Sequence, residues 1–438
     1  HLGGGFFRYC VDARWTIPHF EKMLYDNAQL LPLYALAAAA SGDPSCAQAA
    51  DGIVEWLRRE MTDGTGAFFS ALDADSETPE GHPEEGAFYL WTREQLREAL
   101  DADEFAAIAA GSGLDGPPNF EGKAWHLVKA RTLEQIAQQL DRAPDEIGGL
   151  LASARGKLFA ARAQRARPGT DDKILTSWNA LTIAALARGA RLLHRPEWIG
   201  AADGALSALR EGAWINDSLY ANVAAANARI PGFLDDHAFL LDALLEMLQC
   251  RWRDQDLQWA IALADTLLEK FEDAERGGFR FSAAEHATPL QNPRTFNDEA
   301  LPSGNGVAAL ALLRLGHLLG ETRYLEAAER CLRAAGDALR KYPDACPTLL
   351  RAVREFHAPR AQVVIRCLEQ EETSWREALH EANAARADVF LVAADAAGLP
   401  GVLAQRKPRK GGIAYVCTGL SCRAPIHSPR KLAAALRE

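Results

Sequence analysis

At 438 residues with 48% hydrophobic side chains, the chain can bury a sizeable core and has room for one large repeat domain plus a small one. Its formal net charge of −11 disfavours binding to a nucleic-acid backbone, and the local basic run of Arg406, Lys407, Arg409 and Lys410 reads as a solvated loop. The most apolar run, Leu30 to Ala40, is shorter than a membrane span and holds Pro32. No secretory pattern opens the chain and its eight cysteines are irregularly spaced, so the expectation is a fragment of a soluble cytoplasmic protein with reduced thiols.

A repeated unit runs along the chain: a polar cluster, a very apolar helix, a turn, a more amphipathic helix, and a closing turn with glycine and an aromatic residue. Gly4-Gly5-Phe6 reads as the closing turn of a unit whose helices lie before His1. Pro18 to Ala40 is the first inner helix, followed by Ser45 to Met61 and a close at Gly66-Ala67-Phe68-Phe69. Ser76 to Arg167 is less regular, with helices at Thr92 to Leu100 and Asp145 to Ala163. Three further pairs follow: Ser177 to Leu193 with Glu197 to Trp214, Asp236 to Cys250 with Asp256 to Phe271, and Asn305 to Leu319 with Arg323 to Leu339. Gly277-Gly278-Phe279 closes the second of them. The helix after Asp236 is apolar almost all round, as expected of a helix buried on both sides, whereas Asp265, Glu269 and Lys270 give its partner a polar face. Inner helices ringed by outer helices form a toroid, and an open solenoid shares the same pattern. After Pro359, strands are expected at Gln362 to Cys367, Ala387 to Ala393 and Ile413 to Cys417, with a helix at Trp375 to Ala385. The division predicted is residues 1–358 as an all-α (α/α) toroid with its first hairpin incomplete, and 359–438 as a small α/β region.

The polar clusters at the helix starts are the candidate chemistry. His19, Glu21 and Lys22 follow Pro18 at the first helical position, with Tyr25 and Asp26 a turn further on; together they suit proton transfer or hydroxyl binding, and capping is the plainer alternative. Asp73, Asp75, Glu77, Glu84 and Glu85 form an acidic loop before Trp91, which supplies paired carboxylates or merely solubility. Asp172 precedes Trp178 and Asn179, a mixture of carboxylate, indole and amide that suits a saccharide. Asp235, Asp236 and His237 open one inner helix, and Asp298, Ser303 and Asn305 another, where Ser303 reads as a cap. Cys417 and Cys422 could supply half a zinc site, with unbridged thiols the preferred reading.

GGGFFRYCVDARWTIPHFEKMLYDNAQLL, from Gly3 to Leu31, resembles a long signature of the thioredoxin-domain-containing proteins related to a spermatogenesis-associated protein. FFSALDADSE, EEGAFYLWT, DDKILTSWNALTIAALARGARL, GFLDDHAFLLDALLE, ALPSGNGVAALALLRL and AYVCTGLSCRAP extend the resemblance, in order, along nearly the whole chain. It implies a six-hairpin toroid similar to N-acylglucosamine 2-epimerases and six-hairpin glycosidases, preceded by a thioredoxin-like domain that is absent here. With no Cys-x-x-Cys in the chain, redox activity does not carry over from that domain.

The functional expectation is carbohydrate processing or binding by acid–base chemistry in the toroid cavity. Epimerisation needs two proton-transfer groups, for which His19 and His237 are candidates. Hydrolysis needs two carboxylates, for which Asp73, Asp172 and Asp236 are candidates. His19, Asp172, Asp236 and His237 are expected to face one cavity, with Trp91 or Trp178 as a stacking wall. The expected partner is a saccharide or other small polar ligand, with no cofactor, metal, nucleic acid or membrane. The alternative is a non-catalytic toroid that binds a ligand or protein beside a thioredoxin-like domain.

Overall fold

Long helices form where the apolar stretches predict them, and a sheet replaces them near the end of the chain. A computed structural model describes residues 2–78, 80–286, 291–382 and 387–437. The chain divides into two compact units: residues 1–34, 44–63 and 68–173, and residues 35–43, 64–67 and 174–438.

In the first unit the chain enters through short antiparallel pairs. β1 (Tyr9–Cys10) pairs with β2 (Pro18–His19), and β3 (Lys22–Met23) pairs with β4 (Ala71–Leu72), which also pairs with β7 (Thr170–Asp171). β5 (Asp75–Glu77) pairs with β6 (Pro83–Glu85). The helices are α1 (Leu24–Ser41), which runs on into the second unit, α2 (Pro44–Trp56), α3 (Arg93–Ala99), α4 (Ala102–Ser112), α5 (Leu133–Leu140) and α6 (Pro144–Arg162). The first inner helix therefore begins at Leu24, not at Pro18. The segment before it is extended and obeys a period of two: Phe20 and Lys22 are buried, while His19 and Glu21 lie on the other, half-exposed face.

In the second unit, successive hairpins lie side by side. α7 (Thr176–Leu193) packs on α8 (Ile199–Gly212), α9 (Leu234–Cys250) on α10 (Asp254–Thr266), and α11 (Gly304–Leu319) on α12 (Thr322–Ala334). α9 also packs on α7 and on α11, and α11 packs on α14 (Pro347–His357), which follows the short α13 (Gly336–Lys341). α9 and α11 are buried almost all round, whereas α12 buries one stripe, Tyr324, Ala327, Ala328, Cys331 and Leu332. Small pairs punctuate the turns: β8 (Ile174–Leu175) with β11 (Asn222–Val223), and β9 (Trp214–Ile215) with β10 (Ser218–Leu219). Residues 1–358 are thus mainly, rather than almost wholly, helical. The buried helix starts need backbone partners, and the irregular segments between hairpins, in which these short strands lie, supply several of them.

Two of the repeats share a side-chain clamp that neither composition nor periodicity reveals. Asn305 Oδ1 accepts from the amide of Phe279 at 2.7 Å, and its Nδ2 donates to the carbonyls of Phe279 and Thr295. In the first unit Asn27 Oδ1 accepts from the amide of Phe6 at 2.6 Å, and Nδ2 donates to the Phe6 and Met23 carbonyls. Each phenylalanine ends a Gly-Gly-Phe turn, so an inner-helix asparagine grips such a turn in both units. The outer helices match as well: α2 and α10 each end in a π-helical turn, Leu57–Met61 and Leu267–Phe271.

The C-terminal region is the expected mixed α/β layer. Its sheet has the order β13-β12-β14-β15, with β12 (Ala361–Cys367) parallel to β13 (Asp388–Ala393) and antiparallel to β14 (Ile413–Thr418), which pairs with β15 (Ser421–Cys422). α15 (Glu369–Glu381) and α16 (Pro429–Arg437) pack together, and Trp375 and Leu432 join Val363, Ile365 and Val416 in one core. The expected helix end at Ala385 falls outside the described residues. Cys417 and Cys422 are not separate thiols, because their facing positions on β14 and β15 join them in a disulfide. A buried ion network ties this layer to the helices. Arg314 of α11 bonds Asp242 at 2.7 Å and Glu246 at 2.9 Å on α9, and Asp388 of β13 at 2.8 Å.

Replacing Asn305 by Ala removes the three bonds of the clamp and the contact from Cys331 Sγ at 3.5 Å, and leaves the Phe279 amide and carbonyl buried without that partner. Such a loss costs about 2–4 kcal/mol. Urea unfolding is expected to show N305A destabilised by that amount, and an unchanged midpoint would contradict the clamp.

Candidate functional site

In the first unit, the extended entry to α1 and the β1–β2 pair bring a polar cluster together. The backbone amide of Arg8 donates to the Glu21 carbonyl at 2.9 Å, and Arg8 Nη1 donates to Glu21 Oε2 at 3.0 Å. His19 Nε2 lies 3.5 Å from the same Glu21 oxygen, and its Nδ1 lies 2.8 Å from Glu85 Oε1. The exposed ring of Tyr9 stacks on His19 with centroids 5.0 Å apart. Asp26, in the first turn of α1, completes the group. Its Oδ2 is buried without a hydrogen bond among the described residues. Burial lifts its proton affinity to about 6; the Arg8 cation opposes this and the Glu21 charge adds to it. A carboxyl titrating there can both give and take a proton near neutral pH.

Lys22, expected to share this work, turns the other way. Its Nζ donates to the Gly4 carbonyl at 2.7 Å and lies over the rings of Phe7, Trp56 and Tyr89, and burial depresses its proton affinity strongly. Asp73, Asp75 and Asp172 are exposed, and Asp73 Oδ1 accepts from the Asp75 amide at 3.4 Å. Trp91 offers no face to a sugar, because it is 2% exposed in an apolar cluster with Arg165 stacked 4.0 Å from its centre.

In the second unit, the start of α9 carries three adjacent titratable groups with different duties. Asp236 is buried, accepting from the amides of Ser177 at 3.0 Å and Phe233 at 2.8 Å. Burial raises its proton affinity to about 6 against the pull of those amides. His237 packs on Phe271, and its Nδ1 lies 2.8 Å from the Phe233 carbonyl. Burial lowers its proton affinity to about 4, so the ring is neutral at pH 7 and Nδ1 carries the proton toward that carbonyl. Asp235 stands apart: no hydrogen bond to either oxygen is present among the described residues. Burial and the neighbouring Asp236 charge raise its proton affinity to about 7. Gly304 lets it sit there, since a Cβ on Gly304 would fall 2.1 Å from Asp235 Oδ1. Trp178 is half-buried and Asn179 buried, with Nδ2 donating to the Leu175 carbonyl at 3.0 Å. Asn305, expected to bind substrate, is engaged in the Phe279 clamp.

Arg8 therefore joins the candidates, and within the Asp235-Asp236-His237 cluster the emphasis moves to Asp235. The Asp-Asp doublet was the available signal for Asp235; Arg8 had none, because only strand pairing brings it to Glu21. A cavity of about 420 Å³ in the first unit, walled by Ile108, Leu127, Ile136 and Leu151 and edged by Arg131 and Arg155, includes none of the candidate residues. Among the described residues, no cluster of three His, Cys, Asp or Glu side chains could hold a metal, and no helix is long and apolar enough to cross a membrane.

Solved structures of similar helical-hairpin form include a GH76 α-mannanase of Bacteroides thetaiotaomicron (12% identical, TM-score 0.40, covering 72% of this chain and 61% of that one). They also include a D-mannose isomerase (14%, TM-score 0.37, 76% and 80%) and the cellobiose 2-epimerase of Spirochaeta thermophila (15%, TM-score 0.36, 76% and 78%). No family model matches the chain. Over nearly its whole length the chain is a homologue of spermatogenesis-associated protein 20. It is 30% identical to the human protein over 470 residues, which cover 99% of this chain and 60% of that protein. It is 32% identical to the rat protein over 395 residues, covering 83% and 50%. The chain thus spans 60% of the human relative's length.

The raised proton affinity of Asp235 sets a pH-dependent stability. Its folded value, about 7, lies above the unfolded value of about 3.9, so the stabilisation is complete below pH 4 and is lost as pH rises through 7. Asp235→Asn keeps the shape without the charge. Its stability relative to wild type is expected to grow by about 1–3 kcal/mol between pH 4 and pH 8. Denaturant midpoints at both ends of that range check this, and parallel pH profiles for the two proteins would contradict it.

Proposed function

We propose that the chain is a carbohydrate-processing protein of the epimerase, isomerase or hydrolase kind, working by acid–base chemistry at the cluster of Arg8, His19, Glu21 and Asp26. The observation that carries this reading is Asp26, a first-turn carboxyl with a buried, unbonded oxygen and a proton affinity near 6. An unsatisfied buried acceptor is costly to keep, and catalytic groups are a recognised reason for one. Arg8 and Glu21 offer one donor group and one acceptor group to hydroxyls. The β1–β2 hairpin adds exposed aromatic faces, Tyr9 at 52% and Trp15 at 83%, of the kind that stack on sugar rings. In this reading Asp236 and His237 are positioning residues that hold the start of α9, and Asp235 is a second proton-transfer group in its own unit.

The test offers the protein a panel of free aldoses, N-acyl hexosamines and short oligosaccharides in deuterium oxide, followed by NMR. Epimerisation or isomerisation beside a carbonyl incorporates solvent deuterium, while hydrolysis releases new reducing ends without it. Asp26→Asn is expected to lower kcat/KM by about 10²–10⁴-fold and to erase the limb of the pH–rate profile near pH 6. No turnover across the panel, or an unchanged profile in D26N, would overturn the proposal.

A further inference from the structure

The C-terminal sheet carries a bonded cysteine pair, apart from the polar helix starts. Cys417 on β14 and Cys422 on β15 face one another across an antiparallel pair and are joined by a disulfide. The two sulfurs occupy different surroundings: Cys417 is 2% exposed, whereas Cys422 lies at the exposed outer strand. Arg406 reaches Cys417 from the turn before β14, its Nη2 donating to Cys417 Sγ at 3.6 Å. That guanidinium is itself buried, its Nη1 has no hydrogen bond, and it forms no ion pair with a carboxylate among the described residues. The backbone beneath it is fixed, because the Arg406 carbonyl accepts from Arg366 Nη1 at 3.0 Å. Arg366 is a second buried cation, satisfied by the carbonyls of Ala393, Ala394 and Ala396. Tyr415 is the other titratable side chain on β14, and its hydroxyl donates to the Lys407 carbonyl at 2.9 Å.

A buried cation without a counter-ion is unfavourable, and a donor already aimed at sulfur favours a thiolate there. We propose that Cys417–Cys422 is a reversible thiol–disulfide exchange site that takes electrons from a dithiol reductant, with Arg406 receiving the Cys417 thiolate. The exposed sulfur is the point of attack. A reductant thiolate forms a bond to Cys422 Sγ, the Cys417–Cys422 bond breaks, and its electron pair leaves on Cys417 beside Arg406. The second thiolate of the reductant then attacks its own sulfur in the mixed disulfide and releases Cys422, which takes a proton from water. Two electrons pass to the protein and the reductant becomes a disulfide. One of its two protons ends on Cys422 and the other goes to solvent, since Cys417 stays a thiolate. A leaving sulfur whose anion is stabilised departs faster, so Arg406 accelerates opening and favours the reduced form.

The test treats the full chain with dithiothreitol under non-denaturing conditions and follows Cys417 and Cys422 by alkylation and mass spectrometry. Circular dichroism checks that the fold persists. The expected result is opening of the bond with the fold intact, slowed roughly tenfold at neutral pH in Arg406→Met and unaltered in Arg423→Met, which removes an exposed neighbouring charge. A bond that stays closed until the protein unfolds, or equal opening rates in R406M and wild type, would overturn the proposal. Should R406M not fold, Cys422→Ser gives an independent reading. Its thiolate absorbance at 240 nm, less that of the C417S/C422S double variant, is expected to titrate below the ordinary cysteine value of about 8.5. Titration at or above that value would equally overturn it.

Discussion

The first turn of a helix carries backbone amides that the helix itself cannot satisfy, and here the inner helices begin in buried surroundings. The rest of the architecture answers that constraint. The Leu24 amide at the head of α1 donates to the Ser70 carbonyl, Thr176 at the head of α7 to Ala221, and Leu234 at the head of α9 to Phe281. Each acceptor lies in the irregular segment that follows the helix's own hairpin. α11 uses side chains instead: Asp298 accepts from the Ser303 amide, and Ser303 from the Gly306 amide. The strands, the Gly-Gly-Phe turns and the asparagine clamps are the means by which the chain returns to each helix start.

This accounts for most of the polar residues gathered there without invoking a ligand. Asp236 bonds two amides, Asn27 and Asn305 grip turns, and His237 is held to a carbonyl. Asp26 and Asp235 lack that kind of engagement. Both lie in the first turn of an inner helix, where the helix dipole favours the anion, yet burial outweighs the dipole and lifts both toward neutral pH. We therefore propose chemistry for the carboxyls that the fold does not use, with Asp26 the stronger case because the charges of Arg8 and Glu21 act on it.

The repeat was legible because burial on all sides writes itself into composition: α9 and α11 are buried almost all round and mostly apolar, and their amphipathic partners are not. The C-terminal strands were legible for the same reason. The start of α1 was misplaced because His19, Phe20, Glu21 and Lys22 fit either period; only the pairing of Lys22 with Leu72 and of His19 with Tyr9 decides that they are extended. The site was half legible. Polar clusters could be found by eye, but whether Asp235 or Asp236 receives the amides depends on where Ser177 arrives, which no local pattern encodes. Arg8 and the Cys417–Cys422 pairing are likewise products of strand register.

The central claim is that the carboxyls left unbonded at the helix starts are poised near neutrality, and direct titration tests it. With carboxyl-carbon labelling of aspartate and assignment through D26N and D235N, NMR follows each group over pH 3 to 9. The account predicts midpoints near 6 for Asp26 and near 7 for Asp235. If both instead titrate near the ordinary aspartate value of about 3.9, they are solvated surface acids and the assignment of chemistry to them is contradicted.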